Sequence, residues 1–143
     1  MKKKCLSLLL MMVMLVCAAA PLSASAEGDI SLYAMNYSSA SLTFTIDRFG
    51  MSTIVVKVTA NANTERIETT TWLERYEATA NGLKWVRKSD DLKFDAYGGK
   101  SVDKTWKKDL ANSGEWRAVC AITVYGRYDT EGNTIIKYAN YNP

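Results

Sequence analysis

An all-β fold, built as one antiparallel sandwich of about seven or eight short strands, is what three features of the sequence predict. Apolar and polar residues alternate with period two through most of the chain after Ala26. Thr, Val, Ile, Tyr and Trp, which fit a pleated and half-buried surface, dominate those stretches, and turn signals recur between them at short intervals.

Each element follows from that pattern. Leu42, Phe44 and Ile46 alternate with Ser41, Thr43 and Thr45, so one face of the first strand is apolar and the other hydroxylated. Asp47 to Gly50 reads as a turn, and Thr53 to Thr59 as a second strand with Ile54, Val56 and Val58 on one side; together they form a hairpin. Asn61-Ala62-Asn63 breaks the alternation, which resumes from Arg66 to Glu77. The buried face of that strand stays open, since Trp72 and Tyr76 share one side and Ile67 and Leu73 the other. Asn81-Gly82 predicts a tight turn of the type that needs positive φ at both central positions. Leu83 to Phe94 then reads as one return strand, Tyr97-Gly98-Gly99 as a loop, and Ser101 to Lys108 as a weaker strand around Val102 and Trp106.

The clearest strand comes late. After the turn signal Asn112-Ser113-Gly114, the residues Trp116, Ala118, Cys120, Ile122 and Val124 share one parity and define a core face. Asp129 to Asn133 reads as a polar loop, and Thr134 to about Tyr141 as the last strand. With Tyr128 facing Thr134, Val124 falls opposite Tyr138 on the inside and Tyr125 opposite Lys137 on the outside. This number of short strands in one chain of this length predicts an immunoglobulin-like sandwich, with a small barrel as the alternative.

Residues 1–26 have the three parts of an export signal: Lys2-Lys3-Lys4, the apolar stretch Leu6 to Val16, and Ala24-Ser25-Ala26 before a cut between Ala26 and Glu27. The apolar stretch is shorter than the roughly 20 residues a bilayer requires, so a secreted product with no stable membrane anchor after cleavage is expected. Residues 27–143 then form a single domain. Three of the 18 Lys and Arg leave with the leader, so the remainder equals the 15 Asp and Glu and the formal charge is zero. That balance gives no reason to expect nucleic acid as a partner. Cys5 and Cys17 leave in the same step, and Cys120 alone cannot form an internal disulfide.

Histidine is absent, which removes the imidazole-dependent triads and the common zinc sites. Asp90, Asp91 and Asp95 could serve as a carboxylate pair for glycoside hydrolysis or as oxygen ligands for calcium, with Asp129 and Glu131 a weaker pair; a solvated acid cluster is the simpler reading. Cys120 shares its parity with Ala118 and Ile122 and reads as a small buried hydrophobe. Trp72, Trp85, Trp106 and Trp116 with the eight tyrosines could supply stacking surface for a glycan or anchors for a protein; of these Trp116 is a core residue, and burial is also the expectation for Trp85 and Trp106. No catalytic residue, metal ligand or cofactor is expected. The favoured surface is the outward set Arg117, Thr123, Tyr125, Arg127 and Lys137, which combines a flat ring with cations on a rigid sheet.

The segments Thr70-Thr71-Trp72-Leu73, Lys84-Trp85, Gly114-Glu115-Trp116-Arg117 and Val124-Tyr125-Gly126 resemble those of small exported Gram-positive proteins whose domains have no assigned function. The resemblance covers roughly residues 64–139 and implies a secreted sandwich; it carries over no functional residue. A lone cysteine fits such an origin, and the missing inter-sheet cysteine pair argues against a receptor-type immunoglobulin domain. The expected role is a non-catalytic extracellular binding module for a protein or a cell-wall glycan. A carboxylate-dependent glycan hydrolase and a small secreted toxin or inhibitor are the alternatives.

Overall fold

The computed structural model describes residues 36–142; the leader and its cleavage point at Ala26 and Glu27 lie outside the described residues. Eight strands follow in order: β1 (Tyr37–Ile46), β2 (Met51–Ala60), β3 (Thr64–Thr79), β4 (Gly82–Arg87), β5 (Leu92–Tyr97), β6 (Val102–Asp109), β7 (Gly114–Gly126) and β8 (Thr130–Tyr141). They divide into a three-stranded sheet, β1-β2-β6, and a five-stranded sheet, β4-β3-β7-β8, in which β5 also pairs with β3. Every pairing is antiparallel. In the lettering of the immunoglobulin fold, β1, β2 and β6 occupy the places of A, B and E, and β3, β7 and β8 those of C, F and G. β4 and β5 together take the place of C′. The strands form two separate sheets rather than one closed barrel.

Period-two patterning sets the two layers against each other. Ile54, Val56 and Val58 of β2 are fully buried, and Leu42 and Phe44 of β1 join them from the same sheet. Ile67 and Leu73 of β3 and Trp116, Ala118, Cys120, Ile122 and Val124 of β7 meet them from the other. Burial of each large aliphatic side chain contributes about 1.5–3 kcal/mol, which is why the strands with the most regular alternation, β2 and β7, lie inside their sheets rather than at the edges. The β1–β2 turn is held by Asp47, whose Oδ1 accepts the N–H groups of Phe49 and Met51, both at 2.9 Å. At the opposite end, buried Asn36 ties β1 to the last hairpin: its Nδ2 donates to Asp129 Oδ1 at 2.6 Å and its N–H to Glu131 Oε2 at 3.3 Å. Its carbonyl accepts from the Thr64 hydroxyl.

One open question is resolved and three expectations are corrected. The face of β3 left open by the sequence is resolved with Ile67 and Leu73 inward and Trp72 and Tyr76 outward. The single return strand from Leu83 to Phe94 is two strands, because residues 88–91 leave the ladder. There the Ser89 hydroxyl accepts the Leu73 N–H at 2.8 Å, and Lys88 N–H reaches Leu73 O at 2.8 Å. Against the same strand β3, the excursion inserts two extra residues, an even number, so β4 and β5 keep the same facing. In the β3–β4 turn, Thr79 pairs with Gly82, and Gly82 alone takes positive φ, at 95°, while Asn81 does not. The Thr79 hydroxyl braces this turn by donating to Gly82 O at 2.8 Å and accepting from Asn81 N–H at 3.2 Å.

The third correction concerns the last hairpin. Gly126 N–H donates to Asp129 O at 2.8 Å, so Arg127 and Tyr128 form the turn, and β8 begins at Thr130. Tyr125 lies opposite Thr130, not Lys137, and Arg117 lies opposite Tyr138. The slip from the expected pairing is odd, and an odd slip exchanges the faces of a strand. Tyr138 therefore points outward, and Lys137, opposite buried Ala118, is on the inward side.

Candidate functional site

The outward face of the five-stranded sheet carries most of the large polar and aromatic groups that the core does not use. Along β3, the residues Arg66, Glu68, Thr70, Trp72, Glu74 and Tyr76 point to this face, because Ile67, Thr69, Thr71 and Leu73 point to the core. The ladders then place the outward residues of β7, β8, β4 and β5 in rows across them.

One row runs Tyr97, Arg66, Tyr125 and Thr130. The Arg66 guanidinium lies between two rings, 5.0 Å from the centroid of Tyr97 and 5.2 Å from that of Tyr125. It pairs with Asp95 at 3.3 Å and also with Glu68. Tyr125 O–H donates to Glu68 Oε2 at 3.0 Å. That bond, followed by desolvation, holds the phenol above its usual pKa.

A second cluster lies toward the other end of the face. Arg117 Nε donates to Glu74 Oε2 at 2.6 Å, and its guanidinium sits 4.5 Å from the centroid of Trp85. Trp85 in turn meets Tyr76 at 5.2 Å and Tyr138 at 5.6 Å between ring centroids, both tilted. The other oxygen of Glu74 accepts Trp72 Nε1–H at 2.7 Å, and Arg87 lies 4.7 Å over the Trp72 ring while pairing with Asp91. Tyr138 and Tyr97 are 61% and 58% exposed, so each cluster offers a ring to solvent. Tyr125 lies eight residue steps along β7 from Arg117, about 27 Å at strand rise. Between the clusters, Thr70, Ala121, Thr123, Gly132 and Thr134 make a low floor of small and hydroxylated side chains.

Of the residues singled out from sequence, Arg117, Thr123 and Tyr125 share this face, with Arg117 and Tyr125 in different clusters. Arg127 is exposed in the β7–β8 turn, where its N–H donates to Asn63 O at 3.0 Å; it is off the sheet face. Lys137 is on the opposite side of β8. The sequence reading missed Arg66, Glu74, Tyr76, Trp85, Tyr97 and Tyr138. Trp85 is half-buried on the outer face and not in the core, since it pairs opposite Tyr76 where β3 and β4 run on beyond the last β3–β7 pair. The signal that could have found Arg66, Glu74 and Tyr76 is the alternation Arg66, Glu68, Trp72, Glu74, Tyr76 on one parity of β3, a set too polar to be a core face. Trp116 and Trp106 follow expectation more closely: Trp116 is buried, with Nε1–H donating to Asn112 O at 3.0 Å, and half-buried Trp106 packs against the core.

The acids considered for hydrolysis or calcium are spread out, and all but Asp90 are engaged by named partners. Asp91 pairs with Arg87 and, at 3.9 Å, with Lys93; Asp95 faces Arg66; Asp90 is exposed in the excursion between β4 and β5. Asp129 and Glu131 hold Asn36. Among the described residues, no group of three or more His, Cys, Asp and Glu is placed to hold a metal ion. Cys120 is fully buried, and burial pushes its thiol above the ordinary pKa.

Fold and face together define an antiparallel β-sandwich whose five-stranded sheet bears two braced clusters of aromatic and guanidinium groups on its outer side. No family model, no curated protein and no solved structure matches the chain.

Proposed function

We propose that the protein is an exported, non-catalytic binding module that presents the outer face of its five-stranded sheet to an extracellular protein or a cell-wall glycan. In this reading the leader is removed after Ala26, the product is secreted, and the chain is one of the small exported Gram-positive proteins its motifs resemble. Among the described residues no helix is long and apolar enough to cross a membrane.

The observation that carries the reading is the position of Trp72, Trp85, Tyr76, Tyr97, Tyr125 and Tyr138 on the solvent side of a sheet whose other side already supplies a core. Trp, Tyr and Arg are the residues that anchor interfaces. Here the guanidinium groups are held against rings and carboxylates before any partner arrives, so little side-chain entropy remains to be lost on binding.

The test is capture of partners from culture supernatant and cell-wall fractions with the wild type, Trp85→Ala and Tyr97→Ala. Thr43→Ala on the outer side of the other sheet serves as control. Loss of capture in the first two variants and not in the control is the expected result. Equal capture by all four overturns the proposal.

A further inference from the structure

We infer that the two clusters are the ends of one path, along which a single neutral, linear polysaccharide lies parallel to β3 and β7. This deepens the binding role proposed above, on which it rests, by naming the chemistry of the partner.

The anchors stand in the wrong places for a compact protein partner. Protein interfaces concentrate their strongest contacts near the centre of the patch, in pockets closed to water, and surround them with weaker contacts. Here the order is reversed. Tyr97 and Tyr125 flank Arg66 at one end, Tyr76 and Tyr138 flank Trp85 at the other, and about 27 Å of strand separates Tyr125 from Arg117. Trp72, Val119 and Ile136 form the inner border of the second cluster. The middle is made by two rows without a ring, Glu68-Thr123-Gly132 and Thr70-Ala121-Thr134. Apart from Glu68, which is drawn to Tyr125 and Arg66, these side chains are far shorter than the rings at either end. The path is therefore a low, hydroxylated saddle between two aromatic ends.

A chain of sugars matches that order of surfaces. Each pyranose has an apolar C–H face that lies flat on an aromatic ring and an edge of hydroxyls that both donate and accept hydrogen bonds. Tyr97 and Tyr138, at 58% and 61% exposure, offer rings at the two ends, and the hydroxyls of Thr70, Thr123 and Thr134 line the middle. The direction follows β7 because the rings mark its two ends. Charge then selects among polysaccharides. Arg66 pairs with Glu68 and Asp95, Arg117 with Glu74, and Arg87 and Lys93 with Asp91, so the face has no surplus of either sign. An anionic polymer would have to compete with these carboxylates for the same guanidinium groups and would gain no attraction from the face as a whole. A neutral polymer leaves every pair intact.

The experiment is affinity electrophoresis of the purified protein in native gels that each contain hydroxyethyl cellulose, mixed-linkage β-glucan, glucomannan, soluble starch or, as the charged counterpart, polygalacturonate. Circular dichroism verifies the folding of each variant. Retardation by at least one neutral polymer and not by polygalacturonate is expected, weakened about tenfold by Tyr97→Ala and by Trp85→Ala and unchanged by Thr43→Ala. Gly132→Ile separates one path from two independent sites. A Cβ at residue 132 meets nothing within 4 Å, so the fold should hold while the middle of the path is raised, and binding of the polymer should weaken. The inference is overturned if no neutral polymer retards the protein, if polygalacturonate retards it more, if only one of the two ring variants matters, or if Gly132→Ile binds as well as the wild type. In any of these cases, capture from supernatant and cell-wall fractions that still requires Trp85 and Tyr97 leaves the binding face standing and assigns it a partner of another class. Loss of that requirement removes both readings.

Discussion

Replacing Ile54 by alanine tests the layer assignment on which the candidate site depends. Ile54 sits on the middle strand of its sheet, in register with Phe44 on one side and Trp106 on the other, and is fully buried. The substitution deletes three carbon groups, about 2.4 kcal/mol at about 0.8 kcal/mol each. Neighbours held by ladders on both sides collapse poorly, so a residual cavity of about 40 Å³ adds about 1 kcal/mol. The expected loss is about 3.5 kcal/mol. At a urea slope of about 1.5 kcal/mol/M this moves the midpoint down by about 2 M. Val55 is the neighbour on the same strand but faces solvent between Thr43 and Thr105, and its alanine variant should lose about 1 kcal/mol or less. Urea unfolding followed by tryptophan fluorescence measures both. Losses of equal size would mean that β2 does not present alternate faces as described, and the outward assignments built on the same parity argument would fall with it.

Three further outcomes follow from individual contacts. Cys120 should resist a thiol reagent at neutral pH in the native protein and react fully once unfolded; rapid native reaction would contradict its burial. Hydrogen bonds from Lys88 and Arg75 hold the Glu77 carboxyl below its usual pKa, so its contribution to stability is present above the ordinary carboxylate range and is lost as pH falls through the depressed value. The difference in melting temperature between wild type and Glu77→Gln should therefore shrink on acidification, and a difference that stays constant from neutral to strongly acid pH would refute this. A Cβ at Gly126 would overlap the Asn36 carboxamide, whereas one at Gly132 meets nothing within 4 Å. Gly126→Ala should cost about 1–3 kcal/mol in thermal unfolding and Gly132→Ala little, and similar values would dispose of the Asn36 junction.

Alternation made the core legible in advance. Ile54, Val56 and Val58, and the set from Trp116 to Val124, are inward as their spacing predicts, because burial of one face overrides weaker local preferences. What stayed hidden was decided by single turns. Gly132-Asn133 has the composition of a loop, yet it lies inside β8, while Arg127-Tyr128 has no strong turn signal and makes the turn. The cost of that one misplacement was the facing of all of β8, which put Tyr138 in the core and Lys137 on the site. The excursion at 88–91 is polar enough for a loop, but what takes it off the ladder is a long-range pair of contacts, the Ser89 hydroxyl and Lys88 N–H both bonded to Leu73 on another strand. Arg66 becomes part of the site only when β5 and β7 bring Tyr97 and Tyr125 to either side of it.

On the outer face the cations Arg66, Arg87, Lys93 and Arg117 each meet a carboxylate of the same face: Glu68 or Asp95, Asp91, Asp91, and Glu74. A face so balanced exerts little long-range attraction, so capture of its partner should change little between low and high salt; a steep salt dependence would place the contact elsewhere.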